Sequence, residues 1–228
     1  MDVFLLRRQP RYLGQKISIG PVASSPATPP AHLAAARTAL TRQLVAAAIE
    51  RSHVHVRYVA DYARIPYPGG DVPSDTGTCT DEIIRIYRPV GIDLQKEVHE
   101  DMLEHFDQYP KQKRWRLGHP DTNIDHRRAP NLITFFRSRG ENLATTTDAR
   151  EYLPGDIVAW NLGFGSTHIG MVVDQRGWLS NRYIILHNRG GAENRRRALR
   201  LEDHRTLPVL RAKSLTKRVA ALFSLVFL

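Results

Sequence analysis

The chain contains a single cysteine and ten histidines, the residue types from which a thiol nucleophile and its general base are made. Cys79 lies in "GTCTDEIIRIYR". Asp75, Gly77 and Thr78 before it are turn and cap residues, and Ile83, Ile84 and Tyr87 after it recur at helical spacing. The thiol is therefore predicted in the first turn of a helix, where unpaired backbone N–H groups and the helix dipole favour a thiolate. A lone cysteine is otherwise a small buried hydrophobe. To count as a nucleophile it needs a base from elsewhere in the chain.

Most of the histidines have plain structural explanations. His53 and His55 flank Val54 in a half-exposed strand. His99 and His105 fall on the polar side of a helix and read as solvated, and His119 and His126 sit in a polar loop. His168 differs because it begins the strand-like run "HIGMVVD". Alternation puts His168, Gly170 and Val172 on one face and Ile169, Met171 and Val173 on the other. A histidine sharing its face with glycine leaves room for close approach. His187 ends the next run, "YIILH", and lies beside His168 if the two strands pair. On pattern alone, each is as readily a structural histidine as a catalytic one. No cysteine pair exists for a zinc knuckle, and His119 and His126 lack a ligand spacing, so no metal is expected.

The elements that must position these residues follow from periodicity and punctuation. "HLAAARTALTRQLVAAAIER" is a helix with Leu33, Ala36, Leu40, Leu44 and Ala47 or Ala48 on one face. "VHVRY" is a short extended piece, and the prolines and glycines of "RIPYPGGDVPSDTG" make a loop. After the cysteine helix, Pro89 and Gly91 stop the chain. A second helix runs from Asp93 as N-cap to about Tyr109, with Leu94, Val98, Met102 and Phe106 as its apolar stripe. "NLITFFRSRG" is a third, with Leu132, Phe135 and Phe136 inward and Gly140 as the stop. From Tyr152 onward "YLPGDIVAW", "THIGMVVD" and "RYIILHN" read as strands. Helices first and an antiparallel sheet after them make an α+β domain.

The net charge of +10 invites a nucleic-acid reading, but its distribution argues against one. Residues 1–50 carry a net +4 and residues 175–228 a net +9, whereas 51–174 carry a net −3. A DNA-binding module would hold its charge on the folded part, so no nucleic-acid partner is expected. No stretch is apolar for the length of a membrane span.

A thiol opening a helix, then "PGDIVAW", "HIGMVVD" and a strand ending in His, resembles the NlpC-type branch of the papain-like cysteine peptidases. More closely, "YPGGDVP", "CTD", "GIDLQKEVHEDM", "PDTNIDHRRAPNL" and "HIGMVVD" are similar to the YijF-like bacterial family of unknown function, in the same superfamily. The likeness runs from about Val56 to Asn188. It implies a papain-like fold with the cysteine helix packed on the sheet, and hydrolysis of a peptide or amide bond in peptidoglycan peptides without a cofactor. It also implies a periplasmic location. Carried over residue by residue, it makes Cys79 the nucleophile, His168 the base and His187 the residue that orients the base, with Asn188 as the rival for the third role. Asp81 stands where these peptidases often have a small residue, which changes the mouth of the site. Asp75, Asp81, Asn123, Asp125 and His126 are the candidate substrate-binding residues, although the loop "DTNIDHR" reads equally well as a hydrogen-bonded staple. A member of the superfamily that binds wall fragments without cleaving them is the alternative.

The two ends fall outside this pattern. Residues 1–31 read as a low-order segment: "VFLL" is too short for a secretory h-region, and "VASSPATPP" is linker-like. The likeness stops after Asn188, where the family continues with a segment like "GAGPxxEDVLFxWxITGHYR". Codons for Ala198–Pro208 can be chosen so that, read one base later, they spell "LFAWKITGHYR". A frameshift near Arg189 is therefore expected, with 189–228 a basic out-of-frame tail and the sheet truncated after its third strand. That leaves 32–188 as the hydrolase domain.

Overall fold

The computed structural model describes residues 31–110, 118–163, 166–177, 182–188, 197–198 and 210–213. The alanine-rich stretch forms α1 (Ala31–Arg51), which buries Leu40, Leu44, Val45 and Ala48. Helix α2 (Cys79–Tyr87) is buried at all nine of its residues. It is the hub of the helical layer, because apolar Ile83, Ile84, Ile86 and Tyr87 share the short helix with ion-paired Asp81, Glu82 and Arg85. A short 3-10 turn follows it, and Gly91, with φ at +76°, ends the run in the left-handed conformation. Helix α3 (Leu94–His105) opens with Asp93 as N-cap, whose side chain accepts from the Gln95 N–H at 3.1 Å. It stops four residues short of Tyr109, passing into a 3-10 turn over Phe106–Gln108. Helix α4 (Ala129–Arg139) buries Leu132, Phe135 and Phe136 as its spacing requires.

Strands β1 (Arg57–Tyr58) and β2 (Thr76–Gly77) form a small parallel pair, with Tyr58 opposite Gly77. β2 leads directly into the cysteine helix. The main sheet contains β3 (Glu141–Asn142), β4 (Asp156–Gly163), β5 (Ser166–Arg176), β6 (Tyr183–Leu186), β7 (Arg197–Ala198) and β8 (Leu210–Lys213). Its order is β3-β8-β4-β5-β6-β7, and all its pairings are antiparallel. Alternation divides it cleanly. Ile157, Ala159, Ile169, Met171, Val173 and Ile184 pack against the helices, while Val158, Trp160, Val172, Ile185 and Tyr152 form a second cluster. The molecule is thus a mixed α/β protein of helices on an antiparallel sheet, and no helix among the described residues is long and apolar enough to cross a membrane.

One expectation is corrected here. The sheet does not end with β6, because Arg197–Ala198 pairs with it and Leu210–Lys213 fills the place between β3 and β4. The physical reason is that an open strand edge offers unpaired N–H and C=O groups, and any extended chain can satisfy them whatever its side chains. The rest of 189–228, and the segment 1–30, lie outside the described residues.

Candidate functional site

Cys79 is the first residue of α2, after Thr78 as N-cap. The Asp81 carboxylate accepts the Thr78 N–H at 2.6 Å and its hydroxyl at 3.0 Å, which fixes the turn that carries the thiol. The cysteine is only 4% exposed. The backbone of Ile169 and of its own first turn, at Thr80 and Cys79, lies close enough to the sulfur to favour its charged form. Burial nevertheless pushes the thiol up to about 11, with the Asp81 charge adding to the rise and the N–H groups opposing it. The expectation of a depressed thiol is therefore corrected. The helix start does favour the thiolate here, but desolvation outweighs it.

Ile169, which lies near the sulfur, packs on the helix-facing side of β5, so the preceding His168 faces the other side of the sheet with Trp160. His168 lies on β5 opposite Trp160 of β4 and is buried. Its Nε2 is 2.8 Å from Nδ1 of His187, with the ring centroids 4.8 Å apart and the planes at 88°. Trp160 stacks on His168 with an interplanar angle of 30°. The two histidines thus meet as neighbouring-strand pairing requires. Gly170 supplies the space: a Cβ there would come 2.8 Å from the Leu186 carbonyl oxygen and 3.2 Å from Cβ of His187. Asn188, the rival of His187, turns the other way and donates its amide to the Gly77 carbonyl at 3.0 Å. It ties the end of β6 to the strand entering the cysteine helix.

Tyr58 belongs to this neighbourhood although pattern reasoning passed over it. It is 41% exposed, and its phenol is pushed up first by burial and then by the charges of Cys79 and Asp81, with Arg127 acting the other way. In sequence, "VHVRY" shows only an extended piece. What places Tyr58 near the thiol is the pairing of β1 with β2, a long-range contact without a local signature.

The candidate substrate-binding residues divide. Asp75 is exposed, and its carbonyl accepts the Arg57 N–H at 2.8 Å. Asp81 is 2% exposed and committed to Thr78 and Arg127. Asn123 accepts the Ile65 N–H at 2.9 Å and donates to Asp121, whose carboxylate also takes the Tyr62 hydroxyl. Asp125, wholly buried, bonds Nδ1 of His99 at 2.9 Å and the Asp121 N–H at 2.7 Å. His99 is thus a buried partner and not the solvated residue its helix position suggests. His126 is buried as well, and burial lowers its imidazole to about 4. The loop is a staple between α3 and the 56–66 segment. Of these residues, Asp81 lies at Cys79 together with Tyr58, whereas His168 and His187 form their own pair beside Trp160.

Comparison with known proteins places this sequence in a family. Residues 45–207 match the family described as "Domain of unknown function (DUF1287)". The chain is 45% identical over 134 residues to the "Uncharacterized protein YijF" of Escherichia coli (strain K12), an alignment covering 58% of this chain and 63% of the relative. It therefore spans less than two thirds of that protein's length. No solved structure matches. With most of its length matched, thiol and both histidines included, the chain belongs to the DUF1287 family.

Proposed function

We propose that the protein is a papain-like, NlpC-type cysteine hydrolase that cleaves a peptide or amide bond in the peptides of peptidoglycan, in the cell envelope. The observation that carries this reading is a helix-start thiol lying near Ile169 of β5, on the strand where the preceding residue, His168, is hydrogen-bonded to His187. Because the thiol ionises only near 11, it is protonated at neutral pH. The mechanism accordingly uses general-base assistance during attack in place of a preformed thiolate–imidazolium pair. In this scheme a ring nitrogen of His168 takes the Sγ proton as sulfur bonds to the carbonyl carbon, which requires the ring to come within reach of the thiol from the Trp160 side of the sheet. The resulting imidazolium is held by His187 and returns the proton to the leaving amine, which departs from the tetrahedral intermediate to leave a thioester. Water then attacks the thioester with the same histidine as base, releasing the acid and restoring the thiol. The Cys79 N–H and the Tyr58 hydroxyl are the oxyanion donors of this scheme, each worth about 10²–10³-fold in rate.

Digestion of purified peptidoglycan, with the fragments analysed by mass spectrometry, tests the proposal. New peptide termini should form with the wild-type chain and not with Cys79→Ala. Identical fragment sets from the two would sink it. Fractionation of cells expressing the native locus tests the location, and a product confined to the cytoplasm would count against a wall substrate.

The low exposure and high ionisation of Cys79 favour a second reading, a wall-fragment binder with an inert thiol. Retained binding of muropeptides by Cys79→Ala, together with no hydrolysis by the wild type, would decide for it.

A further inference from the structure

We propose that Arg127 is a positioning residue for Cys79, acting with Asp81 to hold the thiol's turn against the segment that carries Tyr58. This rests on the reading of Cys79 as the nucleophile. The guanidinium grips the Asp81 carboxylate as a fork, Nε to Oδ1 at 2.9 Å and Nη2 to Oδ2 at 3.2 Å. Its third nitrogen, Nη1, donates to the Asp61 carbonyl at 3.0 Å, three residues beyond Tyr58. The Arg127 carbonyl in turn accepts the Thr80 hydroxyl at 3.0 Å. Both residues flanking the cysteine are therefore tied to the same pair, Thr78 through Asp81 and Thr80 through Arg127. The two threonine hydroxyls also lie 2.8 Å from one another. The ionic side chains are almost closed to solvent, at 2% and 3% exposure.

A buried ion pair is a poor way to gain stability alone, since apolar residues of similar volume are often as good. Its charges, by contrast, act directly on chemistry nearby. The Asp81 carboxylate opposes ionisation of the thiol, and Arg127 neutralises that carboxylate. The ionisable groups that face the cysteine are Asp81 from its own helix, Arg127 from the 118–128 loop and the Tyr58 phenol from β1. Arginine suits the role because its planar fork adds a grip on the Asp61 carbonyl to the charge that lysine would also supply.

The test is the pH profile of iodoacetamide alkylation on the full chain, read by mass spectrometry at its single cysteine. Asp81→Asn should move the midpoint down and speed alkylation at pH 8 by about tenfold, the effect of one pKa unit. Arg127→Gln should move it up and slow alkylation by a similar factor, while Arg127→Lys should restore the midpoint. If Arg127→Gln does not fold, Asp81→Asn and Arg127→Lys decide the matter. Profiles of Asp81→Asn and of folded Arg127→Gln superimposable on wild type, with wild-type far-UV circular dichroism, overturn the proposal. Alkylation does not require turnover. A wild-type chain that releases no wall fragments removes the hydrolase reading, whereas unmoved midpoints remove the positioning role.

Discussion

His99 and His168 are both buried, and each makes one short hydrogen bond from its ring, at 2.9 and 2.8 Å, yet they are set up for different work. His99 bonds the Asp125 carboxylate, which also accepts a loop N–H, and its ring meets the edge of Tyr67 at 5.2 Å. Every partner belongs to the staple between α3 and the loops. His168 instead bonds another imidazole, a group able to give or accept a proton, under the face of Trp160 and next in sequence to Ile169, whose backbone lies near the sulfur. A carboxylate fixes its histidine, whereas an imidazole partner can relay a proton.

The comparison is broken most strongly at the sheet pair. Cys79→Ala and His168→Ala should each lower hydrolysis of a wall substrate by about 10³-fold or more, and the double variant should lose no more than either single one, because the pair acts as a unit. Full activity in either single variant would end the assignment. The loop pair should respond in the opposite sense. His99→Ala leaves the buried Asp125 carboxylate without its imidazole and should cost about 3 kcal/mol in urea unfolding, with activity per folded molecule unchanged. A loss of activity without a loss of stability would reverse the roles assigned to the two histidines.

A third buried histidine sharpens the contrast through pH. Burial holds His126 at about 4, below the ordinary value of 6.5. The unfolded chain therefore binds this proton more readily, so the contribution of His126 is complete above pH 6.5 and is lost as pH falls toward 4. The loss amounts to no more than about 3 kcal/mol, at roughly 1.4 kcal/mol per pKa unit. His126→Gln should flatten the slope of stability between pH 6.5 and 4. An equally steep slope in the variant would assign acid sensitivity to other groups.

Much of this was legible along the chain, and the failures share a cause. The helices over Cys79–Tyr87 and Ala129–Arg139 follow from apolar spacing and stop signals, and the two faces of β5 follow from strict alternation. The meeting of His168 and His187 also follows from two neighbouring strands pairing in the ordinary way. Tyr58 was not legible, because only the pairing of β1 with β2 brings it to the thiol. Asp81 was misread as a mouth residue. Its partner Arg127 lies 46 positions away, and a carboxylate three residues after a threonine is equally a capping residue. The direction of the thiol shift was wrong for a related reason. Local sequence shows the helix start but not the depth at which it is buried.

The smallest expected effect in stability concerns the glycine that lets the two histidines meet. Gly170 shares the face of His168, and its added Cβ would sit 2.7 Å from Cγ2 of Ile185 and 2.8 Å from the Leu186 carbonyl oxygen. The isoleucine methyl can swing aside, but the carbonyl is backbone, so β6 must move away from β5. Gly170→Ala should therefore cost about 1–2 kcal/mol through overpacking. It should also lengthen the His168–His187 hydrogen bond, which is 2.8 Å in the wild type. A second substitution separates general instability from this local effect. Gly155→Ala places its Cβ 2.5 Å from Cγ2 of Thr41, at a φ of +89°, and so disturbs the contact with α1. Both variants should unfold earlier in urea. Only Gly170→Ala should change the ring-nitrogen chemical shifts of His168 and His187 and lower hydrolysis beyond the loss of folded protein. Equal effects of the two glycine variants on those shifts would mean that the spacing of β5 and β6 does not set the histidine pair.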